Sequence, residues 1–244
     1  MRFSVFQMSR TGGRARNEDR VGYTYTRDSA LFLLGDGMGG HADGDKAAQM
    51  ALHALSQSFH EQAAPELDDP AAFLREGMLL GHRRLQALVE GAHPDTSPRT
   101  TLVGCVLQRG RALWAHCGDS RLYALRGGVL LSRTRDHSYA ELQSRLVPGA
   151  RAGESLNRNV LYTCLGSPGE PVIDLSEPLP LQVGDRFLLC SDGLWEALDD
   201  SYIARSLAQP RDLAQILPPL VDEALELNGE RGDNVSALAV EWQG

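Results

Sequence analysis

Twice in this chain a short apolar run stops at an Asp-Gly corner: Phe32-Leu33-Leu34-Gly35-Asp36-Gly37 and Phe187-Leu188-Leu189-Cys190-Ser191-Asp192-Gly193. Each reads as a buried strand that ends abruptly in turn chemistry. Three further acidic sites share the setting. Asn17-Glu18-Asp19, Gly118-Asp119-Ser120 and Gly232-Asp233-Asn234 lie at or near the end of a strand-like segment, beside glycine or another turn former. Taken singly, such a corner is a turn, because aspartate tolerates turn geometry and glycine supplies positive φ. Several of them after buried strands would set carboxylates around one point. Carboxylates that close repel one another. Hard divalent ions relieve that repulsion, since Mg²⁺ and Mn²⁺ prefer carboxylate, carbonyl and water oxygens. Spacing alone leaves open whether the corners meet.

The rest of the chain alternates between sheet and helix signals. Arg2 to Met8, Val21 to Thr26 and Ala30 to Leu34 read as strands, the last two as an antiparallel hairpin. Asp45 to about Gln62 and Pro70 to about Glu90 each carry one apolar stripe at helical spacing, Ala48-Leu52-Leu55-Phe59 in the first. Gly91 to Arg99 reads as a loop. Thr101 to Gln108 pairs with Ala112 to Cys117, and Leu122 to Leu125 with Val129 to Leu131, across tight glycine turns. Ser138 to Asn159 is polar and rich in breakers, and predicts a short helix followed by a surface flap. Val172 to Leu175, Arg186 to Ser191 and Asn234 to Trp242 return to strand. Asp212 to Leu227 is a third amphipathic helix, with Leu213, Leu217, Leu220 and Ala224 on one face. This order predicts one α+β domain of antiparallel sheets covered by helices.

Composition bounds the function. The net charge of -8 disfavours nucleic acid as a partner. No run of eighteen apolar residues predicts a membrane span, and Met1 to Gly13 lacks the pattern of a secretory signal. The cytoplasm is therefore the expected compartment. Cys105, Cys117, Cys164 and Cys190 form no CxxC pair and read as buried reduced thiols.

The ordered set RARNED (Arg14 to Asp19), DGMGGH (Asp36 to His41), TTLVG (Thr100 to Gly104), GDSR (Gly118 to Arg121), DHS (Asp136 to Ser138), RNVL (Arg158 to Leu161), SDGLWE (Ser191 to Glu196) and GDNVS (Gly232 to Ser236) resembles the metal-dependent protein phosphatases of the 2C type, in their compact bacterial form. The resemblance spans nearly the whole chain. It implies a four-layer sandwich of two antiparallel β-sheets flanked by α-helices. It also implies a single catalytic domain over residues 1–244, with a flap at about 138–159.

The implied activity is hydrolysis of phosphoserine and phosphothreonine in proteins, by a water or hydroxide bridging two divalent ions, Mn²⁺ or Mg²⁺. Asp36 would bridge both ions and the Gly37 carbonyl would bind the second. Asp192 and Asp233 would bind the first, and Glu18 and Asp19 would act mainly through bound waters. Asp119, sharing Asp192, would bind a weaker third ion. Arg14 would hold the substrate phosphate through its planar fork of donors. The implied partners are a phosphorylated protein and an opposing Ser/Thr kinase in bacterial signalling, with the enzyme a monomer. Relatives with histidine just after the Asp-Gly have Met38 as their counterpart here, and His41 follows instead. Pro98-Arg99 replaces the glycine usual before the paired threonines.

Other patterns compete. Gly35 to Gly40 satisfies the dinucleotide fingerprint GxGxxG, but Asp36 would face a pyrophosphate and a second helix follows where a strand is needed. Cys105 to Arg111 matches C-x5-R, the spacing of cysteine-dependent phosphatases, but the intervening residues continue a strand and turn into another. His137 reads as a hydrogen-bonded structural histidine. A phosphatase fold without its metals is countered by the filled set of acidic positions, and a nuclease by the acidic balance.

Overall fold

The computed structural model describes residues 1–38, 43–88, 98–146 and 160–244. In chain order the strands are β1 (Phe3–Arg10), β2 (Arg20–Tyr25), β3 (Ser29–Gly35), β4 (Gly37–Met38), β5 (Arg99–Thr100), β6 (Leu102–Gln108), β7 (Arg111–Cys117), β8 (Arg121–Arg126), β9 (Val129–Arg133), β10 (Asp174–Leu175), β11 (Leu179–Pro180), β12 (Arg186–Cys190) and β13 (Val235–Trp242). The helices are α1 (Gly44–Gln62), α2 (Pro70–Ala87), α3 (Tyr139–Leu146), α4 (Asp192–Trp195), α5 (Asp200–Leu207) and α6 (Leu213–Asn228). One sheet runs β1-β13-β12-β8-β9 and the other β10-β7-β6-β3-β2, with β11 also on β7. All their pairings are antiparallel.

The apolar runs explain the layering. Side chains alternate along a strand, so Phe32 and Leu34 enter the core between the sheets with Val103, Cys105, Leu122, Phe187, Leu189 and Leu238. Leu31 and Leu33 point the other way, onto Leu52, Leu55 and Phe59 of α1 and Leu74 and Met78 of α2. Leu188 and Cys190 meet Leu217, Leu220 and Val221 of α6 on the outer face of the other sheet. Both sheets are covered on both faces, which gives the four-layer α+β sandwich implied by the resemblance. Among the described residues no helix is long and apolar enough to cross a membrane.

Several elements differ from expectation. The strand expected over Val172 to Leu175 is confined to Asp174–Leu175, because Val172 N–H is taken by the Thr163 hydroxyl (3.0 Å). Thr101 interrupts the strand expected from Thr101 onward: its N–H donates to the Asp36 carbonyl (2.8 Å) instead of extending the ladder. Arg99, expected in a loop, pairs with Met38. The short α4 and α5 escaped the sequence reading, being too brief for a helical period to register. Helix α6 carries Pro218 and Pro219 in its interior. The flap is described only at its edges, by α3 and by the segment from 160 onward; residues 147–159, His41 and residues 89–97 lie outside the described residues.

Register brings the acidic corners to one end of the molecule. Arg20 pairs with Gly35, so Asp19 before β2 and Asp36 after β3 share an edge. Leu102 pairs with Cys117, which adds Thr101 and Asp119 to that edge. In the other sheet Cys190 faces both Ala237 and Arg121, and Arg10 faces Val235. Asp192 and Asp233 thus leave their strands at the same end.

Candidate active site

Three of the corners, at Asp36, Asp19 and Asp233, are held by hydrogen bonds to neighbouring strands and loops. At Asp36, the N–H donates to Thr101 Oγ1 (3.0 Å), while the carbonyl accepts from Thr101 N (2.8 Å) and from the Thr100 hydroxyl (2.9 Å). At Asp19, which is buried, Oδ2 accepts from the Ser191 hydroxyl (2.8 Å). The same Ser191 hydroxyl accepts from Ser236 N (3.0 Å), so Asp19 is tied to the strand pair that carries Asp192. Asn234 acts as a hub: its Oδ1 accepts from Glu18 N (2.8 Å), and its Nδ2 donates to the Thr11 and Arg16 carbonyls (2.7 and 3.0 Å). Asp233 Oδ1 accepts from Asn234 N (2.8 Å), and its Oδ2 receives the Arg14 guanidinium at 2.6 Å. At Gly37 an added Cβ would lie 2.1 Å from the Gly44 carbonyl oxygen, so only glycine lets this corner approach the start of α1. Glu18 stands at that junction, with its carbonyl accepting from Gly37 N (3.3 Å).

The electrostatics show how crowded the centre is. Burial, then the charges of Asp19, Asp192, Asp119 and Asp233, push the Asp36 carboxyl well above its ordinary range. Burial, then Asp119, Asp233, Glu196 and Asp19, do the same to Asp192. Asp19 is pushed up to about 6, chiefly by burial, with the Ser236 and Ser191 hydroxyls partly offsetting it. Asp119 is pushed up to about 7 by burial and then Asp136. Glu18 is raised by burial and then by Asp45 and Asp233. Two carboxylate oxygens, Asp19 Oδ1 and Asp192 Oδ1, are buried without a hydrogen-bond partner. Buried carboxylates left unpaired are costly. An all-oxygen donor set of this charge fits hard divalent cations, and the orphaned oxygens are the atoms such cations would satisfy.

The structure therefore brings together Asp19, Asp36, Asp119, Asp192 and Asp233 as mutually interacting charges, with Arg14 on Asp233 and Glu18 at the rim. Among the described residues, the ligand atoms that all lie within 4.8 Å of one another belong instead to His116, His137 and Asp174. His137 is a hydrogen-bonded structural residue, as expected, with Nδ1 accepting from Gly118 N (3.2 Å). Thr101, Ser191, Asn234 and Ser236 were not singled out from sequence. Ser191 and Asn234 gave a faint signal, a hydroxyl or amide directly beside an acidic corner, whereas Thr101 and Ser236 adjoin none. The C-x5-R pattern is structural. Cys105 is buried in the core between the sheets, burial raises its thiol pKa, and Arg111 opens the next strand. The strand that leads into the GxGxxG pattern, β3, pairs antiparallel with β2 and β6, and among the described residues no βαβ crossover follows it.

The chain is similar to known proteins over most of its length. The model of the protein phosphatase 2C family matches residues 8–226. Over 240 residues, 97% of this chain and 94% of the relative, the chain is 30% identical to the serine/threonine phosphatase stp of Listeria monocytogenes. It is 32% identical over 232 residues to the serine/threonine protein phosphatase PstP of Mycobacterium tuberculosis, covering 93% of this chain and 42% of that protein. A crystal structure of the catalytic domain of PstP in complex with two manganese ions superposes with a TM-score of 0.80 at 31% identity, covering 99% of each chain. With its motifs in order and its acidic corners gathered at one end of a two-sheet sandwich, this chain belongs to the protein phosphatase 2C family.

Proposed function

We propose that the chain is a metal-dependent protein serine/threonine phosphatase whose centre is built on Asp36, Asp192 and Asp233. The observation that carries this is the convergence of strand-end aspartates at one end of both sheets, with Asp19 Oδ1 and Asp192 Oδ1 buried and unpartnered. In this reading Asp36 and the Gly37 carbonyl, with Asp192 and Asp233, hold two ions, Mn²⁺ or Mg²⁺. Glu18 and Asp19 act through waters, and Asp119 with Asp192 holds a weaker third ion. When bound, such ions neutralise the carboxylates and lower the pKa of water to give a nucleophile near neutral pH.

The chain's own residues do the rest. Thr100 and Thr101 fix the Asp36 backbone by three hydrogen bonds, so its carboxylate is preorganised. Ser191 aims Asp19. Arg14, exposed and paired with Asp233 at the edge of the cluster, offers a planar fork of donors that fits the oxygens of a substrate phosphate. The catalytic unit is the single domain of residues 1–244 with its flap at about 138–159. The names of the relatives support a phosphoprotein substrate and a role opposing a Ser/Thr kinase in bacterial signalling. Four free buried thiols fit a reducing cytoplasm, and the enzyme acts as a monomer.

The test is turnover of phosphothreonine and phosphotyrosine peptides during Mn²⁺ and Mg²⁺ titration. Phosphothreonine hydrolysis that vanishes with EDTA and returns with Mn²⁺ is expected. Hydrolysis indifferent to chelation, or confined to phosphotyrosine, would overturn the reading.

A further inference from the structure

His137 bonds Gly118 twice. Its backbone N–H donates to the Gly118 carbonyl (3.0 Å), and its ring Nδ1 accepts the Gly118 N–H (3.2 Å). Accepting at Nδ1 places the proton of the neutral ring on Nε2. The side chain is fully buried, and Nε2 has no hydrogen-bond partner of good geometry. It faces one carboxylate, Asp174 Oδ2, at 3.4 Å. Asp174 lies on β10 opposite His116, so the ladder to β7 fixes where that carboxylate stands. Both rings are held neutral by burial, His116 pushed down to about 4.

These three side chains form a tempting cation site, but their bonding opposes it. The His137 lone pair is spent on Gly118 N–H, and its Nε2 lies 3.4 Å from the Asp174 carboxylate. His116 Nε2 is engaged with the Arg135 carbonyl (2.6 Å), and the two rings stack at 4.5 Å and 28°. Lone pairs lie in the ring planes, so nearly parallel rings do not aim them at one ion.

What the arrangement does reach is the acidic centre. Gly118 precedes Asp119 and has a φ of 106°; a Cβ there would lie 2.7 Å from Thr101 Cβ. Thr101 Oγ1 in turn receives Asp36 N–H (3.0 Å) and shares a hydrogen with Ser120 Oγ (2.6 Å). The other side of His137 meets the end of the flap: its carbonyl accepts from Tyr162 N (3.0 Å), and Tyr139 N donates to the Val160 carbonyl (3.0 Å).

We propose that Asp174 and His137 are positioning residues: the carboxylate orients the imidazole, which holds the Gly118–Asp119 corner in place for metal-dependent turnover. This rests on the phosphatase reading of Asp119 above. Without Asp174, buried Nε2 loses the carboxylate that stands 3.4 Å from it and favours the proton on that nitrogen. A turned or re-protonated ring then competes and sets a donor against Gly118 N–H.

The test uses Asp174→Ala and Asp174→Asn in the full chain. Asp174 is exposed (side chain 58%), so both variants are expected to fold. Three quantities are read: the Mn²⁺ concentration for half-maximal turnover of a phosphothreonine peptide, the turnover at saturating Mn²⁺, and the ¹⁵N shifts of the His137 ring. The alanine variant is expected to need roughly 3–10-fold more Mn²⁺ and to turn over roughly 3–10-fold more slowly. Asparagine, which keeps an acceptor, is expected to restore most of the loss. In an Asp119→Ala background Asp174→Ala is expected to add nothing, since both act on one corner. An unchanged metal curve for Asp174→Ala, or the same loss with and without Asp119, overturns the proposal while leaving the phosphatase reading intact. Wild-type turnover indifferent to Mn²⁺ would instead overturn that reading. A His137 ring protonated on Nδ1 in the wild type overturns the positioning proposal whatever the turnover.

Discussion

Asp192 faces more like charge than its surroundings compensate. Its Oδ1 is buried without a partner, and Asp119, Asp233, Glu196 and Asp19 all oppose its ionisation after burial itself. Asp192→Asn keeps the shape and removes the charge, so the fold is expected to stand while turnover falls by roughly 10²–10⁴, about 3–5 kcal/mol of barrier. Turnover within threefold of wild type, measured at saturating Mn²⁺, would count against its place in the centre. Cys105→Ser is expected to leave turnover nearly unchanged, because the thiol is buried between the sheets. Asp119→Ala separates catalysis from turn formation. Arg121 binds both oxygens of Asp136 (2.8 and 2.7 Å), so it does not hold Asp119 as a dedicated partner. Lower phosphopeptide turnover with a shifted metal-activation curve is expected. A lower melting temperature with an unchanged curve would mean that Asp119 only closes a turn.

Helix α6 shows an element overruling its own propensity. Pro218 and Pro219 carry no N–H, which costs the Ala214 and Gln215 carbonyls their bonds within the helix. The helix persists because Leu213, Ile216, Leu217, Leu220, Val221 and Ala224 are buried against the sheet. Pro219 is exposed, so Pro219→Ala restores a donor without disturbing that face. The variant is expected to be more stable by ~1–3 kcal/mol. Urea denaturation with a midpoint equal to or below wild type would show that the backbone there is already strained away from a regular helix.

The whole molecule stores repulsion at one end, and its stability should respond to pH and metal together. Asp119 at about 7, with Asp36 and Asp192 well above their ordinary 3.8, bind protons in the folded state that the unfolded chain has released. Stability of the metal-free protein therefore falls as pH rises from about 4 through the 7 of Asp119, and further as Asp36 and Asp192 ionise. His116, pushed down to about 4, opposes this between about 4 and its ordinary 6.5, where the unfolded chain takes up a proton that the folded ring does not. Thermal unfolding in EDTA is expected to give a lower melting temperature at pH 8 than at pH 6.5, by ~3–5 °C. Mn²⁺ is expected to raise it more at pH 8. A metal-free melting temperature that climbs across the window would contradict the account of the cluster.

The ordered motifs, the continuous apolar runs and the three helical stripes were legible because each is local. Strand period, helix period and turn chemistry are written within a few residues. They were enough to predict an α+β domain of antiparallel sheets covered by helices and to single out Glu18, Asp19, Asp36, Asp119, Asp192 and Asp233, while the sandwich and Arg14 came from the resemblance carried by the ordered motifs. Convergence was not legible, since Asp36 and Asp233 are far apart in sequence, lie on different sheets, and share one end only through the register within each sheet and the packing of the two sheets face to face. Nor were the residues that hold the corners. Asn234 bonds Glu18, Thr11 and Arg16 across more than two hundred positions, and Thr101 breaks a strand to serve Asp36. A side chain's partners depend on which strands are neighbours and in what register. That is a property of the packed sheets, decided when Leu31 and Leu33 choose the helices and Phe32 and Leu34 choose the opposite sheet.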